Sequence, residues 1–162
     1  MKLNRKRLVI FLVLIVLAIG FIFYNSLQNS EESHKASGII ENIVKPLIDK
    51  IFGEGSVDIN FIVRKAAHLT EFCVLGFVVM GVVITVGIKY LGYGLFSVLA
   101  IAVTDEYIQS FMDRTSSVKD VLIDFTGAMI GFVICTVLYL IAHTLKKKYK
   151  DKHITSGKHF KQ

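Results

Sequence analysis

The sequence predicts an all-α membrane protein: a four-transmembrane-helix bundle with an extracytoplasmic amphipathic helix between the first and second spans. Three observations predict it. Of the 162 residues 53% are hydrophobic, the apolar residues gather in long uncharged runs, and the basic residues behind the formal charge of +6 sit beside those runs. Lys2, Arg5, Lys6 and Arg7 precede the first run, and Lys146 to Lys152 follow the last. Charge placed in this way is a topology signal, so no nucleic-acid partner is expected.

The first span covers residues 8–24, "LVIFLVLIVLAIGFIFY", after the basic start. Ala18-Ile19-Gly20 has the small-x-small form of a signal-peptide cleavage site, but Phe21-Ile22-Phe23-Tyr24 continues the apolar run, which favours an uncleaved anchor. Between Ser37 and Gly53 apolar pairs recur (Ile39-Ile40, Ile43-Val44, Leu47-Ile48, Ile51-Phe52) with polar residues between them. This is amphipathic helical spacing, too polar to span and interrupted by Pro46, and it is expected on the outer membrane surface or over the bundle mouth. Asp58 is placed to N-cap the next helix.

The second, third and fourth spans cover residues 66–88, 91–112 and 121–145. Tyr90 to Thr104 extends only about 22 Å as a helix against a hydrocarbon core of about 30 Å, so the third helix is expected to continue through "DEYIQSF". Asp105 and Glu106 then fall inside the membrane boundary. The short-flank positives, including Lys89, place both termini on the cytoplasmic side. Residues 1–145 form one domain, and 146–162 a basic cytoplasmic tail that is mostly disordered by composition.

Polar residues within such spans carry the function, because the chain has no phosphate loop, CxxC pair, HExxH or GxSxG. Cys73 and Cys135 lie in apolar runs and read as small hydrophobes. Arg64, His68, Glu71 and Leu75 follow i, i+4, i+7, i+11, which places the ionisable groups of the second span on one stripe. Asp105 lies four residues before Gln109, and Asp120 four before Asp124. Gly127 and Gly131 continue that face of the fourth span, where missing side chains admit a neighbouring helix. Charges facing lipid are costly, so these groups are expected to turn inward and meet at the outer end of the bundle.

Lys65 and Lys119 read as rim charges. His68 and Glu71, with Asp105 and Glu106, are candidates for acid/base work, and Arg114 for a two-point grip on phosphate or carboxylate. One imidazole among carboxylates is a weak zinc signal, so the question of a metal or other cofactor stays open. A salt-bridge network that only fixes helix register is the competing reading.

Four stretches, "FYNSLQNS", "RKAAHLTEF", "DEYIQSF" and "DRTSSVKDVLIDFTGAMIG", together resemble the VanZ-like family of small bacterial membrane proteins over about residues 21–131. The resemblance implies functional positions at Ser26, Gln28, Arg64, Lys65, His68, Glu71, Asp105, Glu106, Gln109, Arg114, Asp120, Asp124 and Gly127. "FMDRTSS" departs from the longer Pro-Gly-Arg type turn of such proteins. The family takes its name from a protein associated with resistance to teicoplanin, a glycopeptide acting outside the membrane. It therefore implies a role in the bacterial cell envelope, without a reaction.

The expectation is that the outer-side cluster binds or modifies a membrane lipid, a lipid-linked envelope precursor or a glycopeptide, with an effect on glycopeptide susceptibility. One alternative is an intramembrane acid/base hydrolase or transferase acting on a phospholipid or polyprenyl-phosphate headgroup. Another is a non-catalytic structural partner subunit.

Overall fold

The computed structural model describes residues 4–28, 58–112 and 117–159, with side chains to residue 150, together with residues 38, 42, 43, 45, 46 and 50. Among the described residues there are four long helices: α1 (Arg5–Ser26), α2 (Ile59–Val86), α3 (Leu91–Gln109) and α4 (Val118–His159). A 3-10 turn, Ile88–Tyr90, leads into α3. All four helices are long and apolar enough to cross a membrane, and the 22 residues of α1 reach about 33 Å.

Local chemistry sets the helix ends. The Asn4 side chain accepts from the Arg7 N–H (3.2 Å), and that of Asp58 from the Phe61 N–H (3.0 Å), so α2 has the cap expected of it. α2 stops at Gly87, whose φ of +129° is open only to a residue without a Cβ. Its N–H still donates to the Val83 carbonyl at 2.7 Å, which closes the last turn before Lys89 and Tyr90.

The helix ends differ from the span ends. α2 begins at Ile59, as its Asp58 cap requires, and ends at Val86; α3 stops at Gln109, short of the expected continuation through Phe111; and α4 starts at Val118 and continues to His159, past residue 145. Hydropathy marks the length inside hydrocarbon, whereas hydrogen bonding and caps mark the helix, so the two need not end together. The segment expected to be disordered is helical as far as His159, because lysine is a good helix former and extending a formed helix avoids the cost of nucleation. Between α1 and α2 the described positions are helical, with Asn42, Ile43, Lys45, Pro46 and Lys50 exposed. The rest of the expected amphipathic helix lies outside the described residues.

Glycine contacts determine how closely α2 and α4 pack. A Cβ at Gly127 would lie 2.3 Å from the Leu69 carbonyl oxygen, one at Gly131 2.0 Å from that of Cys73, and one at Gly76 2.2 Å from that of Ala128. Backbone therefore rests on backbone, as the glycine spacing of the fourth span predicts. α1 packs on the other side of α2, where the Phe11 ring fills the space above Gly81. Phe72, Leu75, Val98, Ala102 and Ala128 are fully buried at the centre, and Ile22 reaches in from α1.

The outward faces are apolar, with Val16, Leu17, Phe96, Leu122, Val133 and Leu140 exposed, which suits a hydrocarbon solvent. Hydroxyls on these helices are satisfied internally. Thr70, Thr104, Thr126, Thr136 and Thr144 each donate to the carbonyl four residues earlier on the same helix, at 2.7–2.9 Å.

Candidate functional site

Alternating helix direction puts the end of α1, the first half of α2, the end of α3 and the start of α4 at one end of the bundle. The polar residues of the spans meet there. Asp105 is fully buried on α3 and held from α1 and α3: the Ser26 hydroxyl of α1 donates to Oδ1, and Gln109 Nε2, one turn along α3, donates to Oδ2 at 2.7 Å. The Ser26 hydroxyl also lies 3.1 Å from the Ile22 carbonyl of its own helix.

His68 projects from α2 between two helices. Its Nδ1 is 3.6 Å from Asp105 Oδ2 and 3.8 Å from Asp124 Oδ1 on α4. Both separations are within ion-pair range and longer than a hydrogen bond. Asp124 is 1% exposed, and its Oδ2 has no hydrogen-bond partner among the described residues. Seating these groups requires α2 and α4 to be close, and the contact of Gly127 with Leu69, the residue after His68, makes them so.

Around this centre the other candidates fall into separate contacts. Glu71, one turn after His68, accepts from Asn25 Nδ2 of α1 at 2.8 Å. Glu106 is buried and accepts from the Ser117 N–H at 3.2 Å, tying the end of α3 to the start of α4. Lys65 Nζ lies 2.5 Å from Asp120 Oδ1 and 5.3 Å from the centroid of the Phe61 ring, so Lys65 has a carboxylate partner and is not a lone rim charge.

Arg64 is half-buried one turn before His68, and its Nε is buried without a hydrogen-bond partner among the described residues. Gln28 stands just beyond α1, where its backbone N–H donates to the Asn25 carbonyl at 3.3 Å. Arg114 lies outside the described residues. Thus His68, Glu71, Asp105, Glu106, Gln109, Asp124 and Ser26 gather at one end, with Asp120 joined to α2 through Lys65.

Sequence reasoning missed Asn25 and Ser117. Asn25 stands immediately before Ser26, and an asparagine at the polar end of an apolar run signals only a boundary. The part played by Ser117 is a backbone N–H, to which side-chain identity gives no clue.

A groove of about 620 Å³ runs between α1 and α2, lined by Ala18, Phe21, Ile22, Ile62, Ala66 and Val74. Glu71 is the one charged residue in its lining among the described residues. An otherwise apolar groove therefore has in its wall a carboxylate that is one helical turn from His68.

A model of the VanZ/LLP1 family matches residues 11–139. No curated protein and no solved structure matches the chain.

Proposed function

The chain belongs to the VanZ-like family and is a multi-pass membrane protein, and from that premise we propose that its polar cluster binds the headgroup of a lipid or lipid-linked molecule in the bacterial cell envelope. The observation that carries this reading is the junction of groove and cluster at Glu71. The space between α1 and α2 is lined almost wholly by apolar side chains, has a volume suited to part of an acyl or polyprenyl chain, and includes Glu71, which accepts from Asn25. A tail in the groove would bring its headgroup to Glu71, one turn from His68 and two from Arg64 on the same helix. The Arg64 guanidinium, with Nε lacking a protein partner among the described residues, suits a phosphate.

Flanking positive charge supports an outer-face position for this end of the bundle, with both termini cytoplasmic. There the protein would act on material that glycopeptides such as teicoplanin also meet, which links the cluster to susceptibility.

A second reading, headgroup hydrolysis, is favoured by the position of His68 between two carboxylates. Water attacks phosphorus, the phosphate ester bond breaks, and the proton that the water loses passes through His68 to the departing alcohol. Arg64 would hold the charge that builds on the phosphate oxygens. A purely structural network fits less well, because Asp124 is buried with an oxygen that has no hydrogen-bond partner among the described residues, and such a group adds nothing to helix register.

The test is retention of lipid by the protein purified in native nanodiscs, read by mass spectrometry, for the wild type and for Ala66→Trp, which fills the groove. A lipid that co-purifies with the wild type and is lost from the variant supports the reading; equal retention by both defeats it. Product formed from that lipid by the wild type, and not by His68→Gln, assigns hydrolysis over binding.

A further inference from the structure

His68 on α2, Asp105 on α3 and Asp124 on α4 each offer one donor atom, and the three donors lie within 4.8 Å of one another. We propose that they hold a divalent first-row transition-metal ion, with His68 supplying Nδ1 and each aspartate one carboxylate oxygen.

An ion about 2.0–2.2 Å from each donor requires donors no more than about 4.2 Å apart. The two edges from His68 Nδ1, 3.6 and 3.8 Å, already meet that limit. A small turn of one carboxylate closes the third, and an ion between two negative groups supplies the force for it. The donor chemistry narrows the choice of ion. Calcium and magnesium favour all-oxygen sets, and soft ions favour sulfur, whereas one imidazole with two carboxylates suits zinc, manganese or iron(II).

A second observation separates this trio from an ordinary acidic cluster. Asp124 is 1% exposed, its Oδ2 has no hydrogen-bond partner among the described residues, and its ion-pair partner among them is His68. A carboxylate buried in a membrane domain with one distant imidazole is costly, and a cation bound there removes the cost. Asp105 is also held as a ligand would be. Ser26 fixes one of its oxygens and Gln109 the other, so the orientation of the carboxylate is set by neighbours on α1 and α3.

Three protein donors leave coordination positions open to water or to a phosphate oxygen, which deepens the lipid reading of this end of the bundle. The metal site rests on that reading only for the identity of the further ligand.

The test uses the full chain carrying a tag without histidine, with His153 and His159 changed to Gln so that the tail cannot bind metal. After dialysis against a chelator it is titrated with Zn2+ and, separately, Mn2+, and metal content is measured by mass spectrometry. One ion per chain is expected, and Asp124→Asn and His68→Gln should each weaken binding by about tenfold or more. Mn2+ on the wild-type fold should show pulsed electron paramagnetic resonance coupling to an imidazole nitrogen, a readout that needs no variant to fold. No stoichiometric ion, no nitrogen coupling, or affinity unchanged in both variants overturns the proposal. Retained lipid without a bound ion defeats this inference alone, and a bound ion without lipid defeats the lipid reading alone.

Discussion

The hydroxyl of Ser26 donates to the buried carboxylate of Asp105 across 79 residues of sequence, joining the last turn of α1 to the last turn of α3. Neither side chain has any exposure, so water cannot replace the bond. Ser26→Ala removes the donor at nearly the same volume, so Asp105 Oδ1 loses this hydrogen bond. Within a membrane domain such a loss is expected to cost about 0.5–2 kcal/mol. Thermal unfolding of purified protein in one detergent measures it. A variant as stable as wild type would mean that the bond contributes nothing net.

The approach of α2 to α4 makes a larger prediction. A Cβ at Gly131 would lie 2.0 Å from the Cys73 carbonyl oxygen and 2.6 Å from the Phe77 nitrogen, both backbone atoms that cannot step aside. Gly131→Ala must therefore push the helices apart, and the cost is expected to be about 2 kcal/mol or more, in the range of an overpacked core. Gly20 on α1 has nothing within 4 Å of its would-be Cβ, so Gly20→Ala is the matched control. It should be neutral, or stabilising by up to about 1 kcal/mol from helix propensity. The comparison is made in the same unfolding assay, and the two variants should differ in sign or by several-fold in size.

How much of this arrangement could be read from the sequence depended on the physical signal behind each element. The four spans were legible because a run of about 20 apolar residues has few other uses. The stripe Arg64, His68, Glu71 was legible because helical spacing fixes the face before any fold is known. Gly127 and Gly131 marked a close approach, but the residues they would meet, Leu69 and Cys73, could not be read, since pairing of helices leaves no periodic trace. The same gap hid the Lys65–Asp120 pair. The tail was misjudged for a different reason, because α4 continues as helix through lysines that hydropathy counts as outside.

The orientation of the bundle has its own test. Lys89 lies in the turn between α2 and α3, and Phe111 lies just past the end of α3, so the two should face opposite sides of the membrane. In a background with Cys73 and Cys135 changed to Ala, Phe111→Cys should react with an impermeant maleimide added to intact cells, and Lys89→Cys only after the membrane is opened. The positive flanks predict that sign, because Arg5, Arg7, Lys89 and Lys146 all fall at one end of the bundle. The reverse labelling pattern would place the polar cluster at the inner face and remove the link to agents acting outside.

Glu71 and His68 separate a working site from a scaffold. Glu71 accepts from the Asn25 amide at 2.8 Å and lines the groove between α1 and α2. Glu71→Gln keeps the shape and can still accept from Asn25, so the fold should persist with a stability change of about 1 kcal/mol or less. A charge that meets a headgroup is lost all the same. The expected result is membrane abundance near wild type, with co-purified lipid and any effect on glycopeptide susceptibility reduced several-fold. His68→Gln should act in the same direction, since it removes an imidazole that would meet the headgroup in its charged form. Asn25→Ala leaves Glu71 charged but unanchored, so its effect should be intermediate. If abundance falls in step with lipid retention across all three variants, the cluster is a structural staple. If abundance holds while retention falls in the order Asn25→Ala, then Glu71→Gln, the carboxylate itself recognises what the groove delivers.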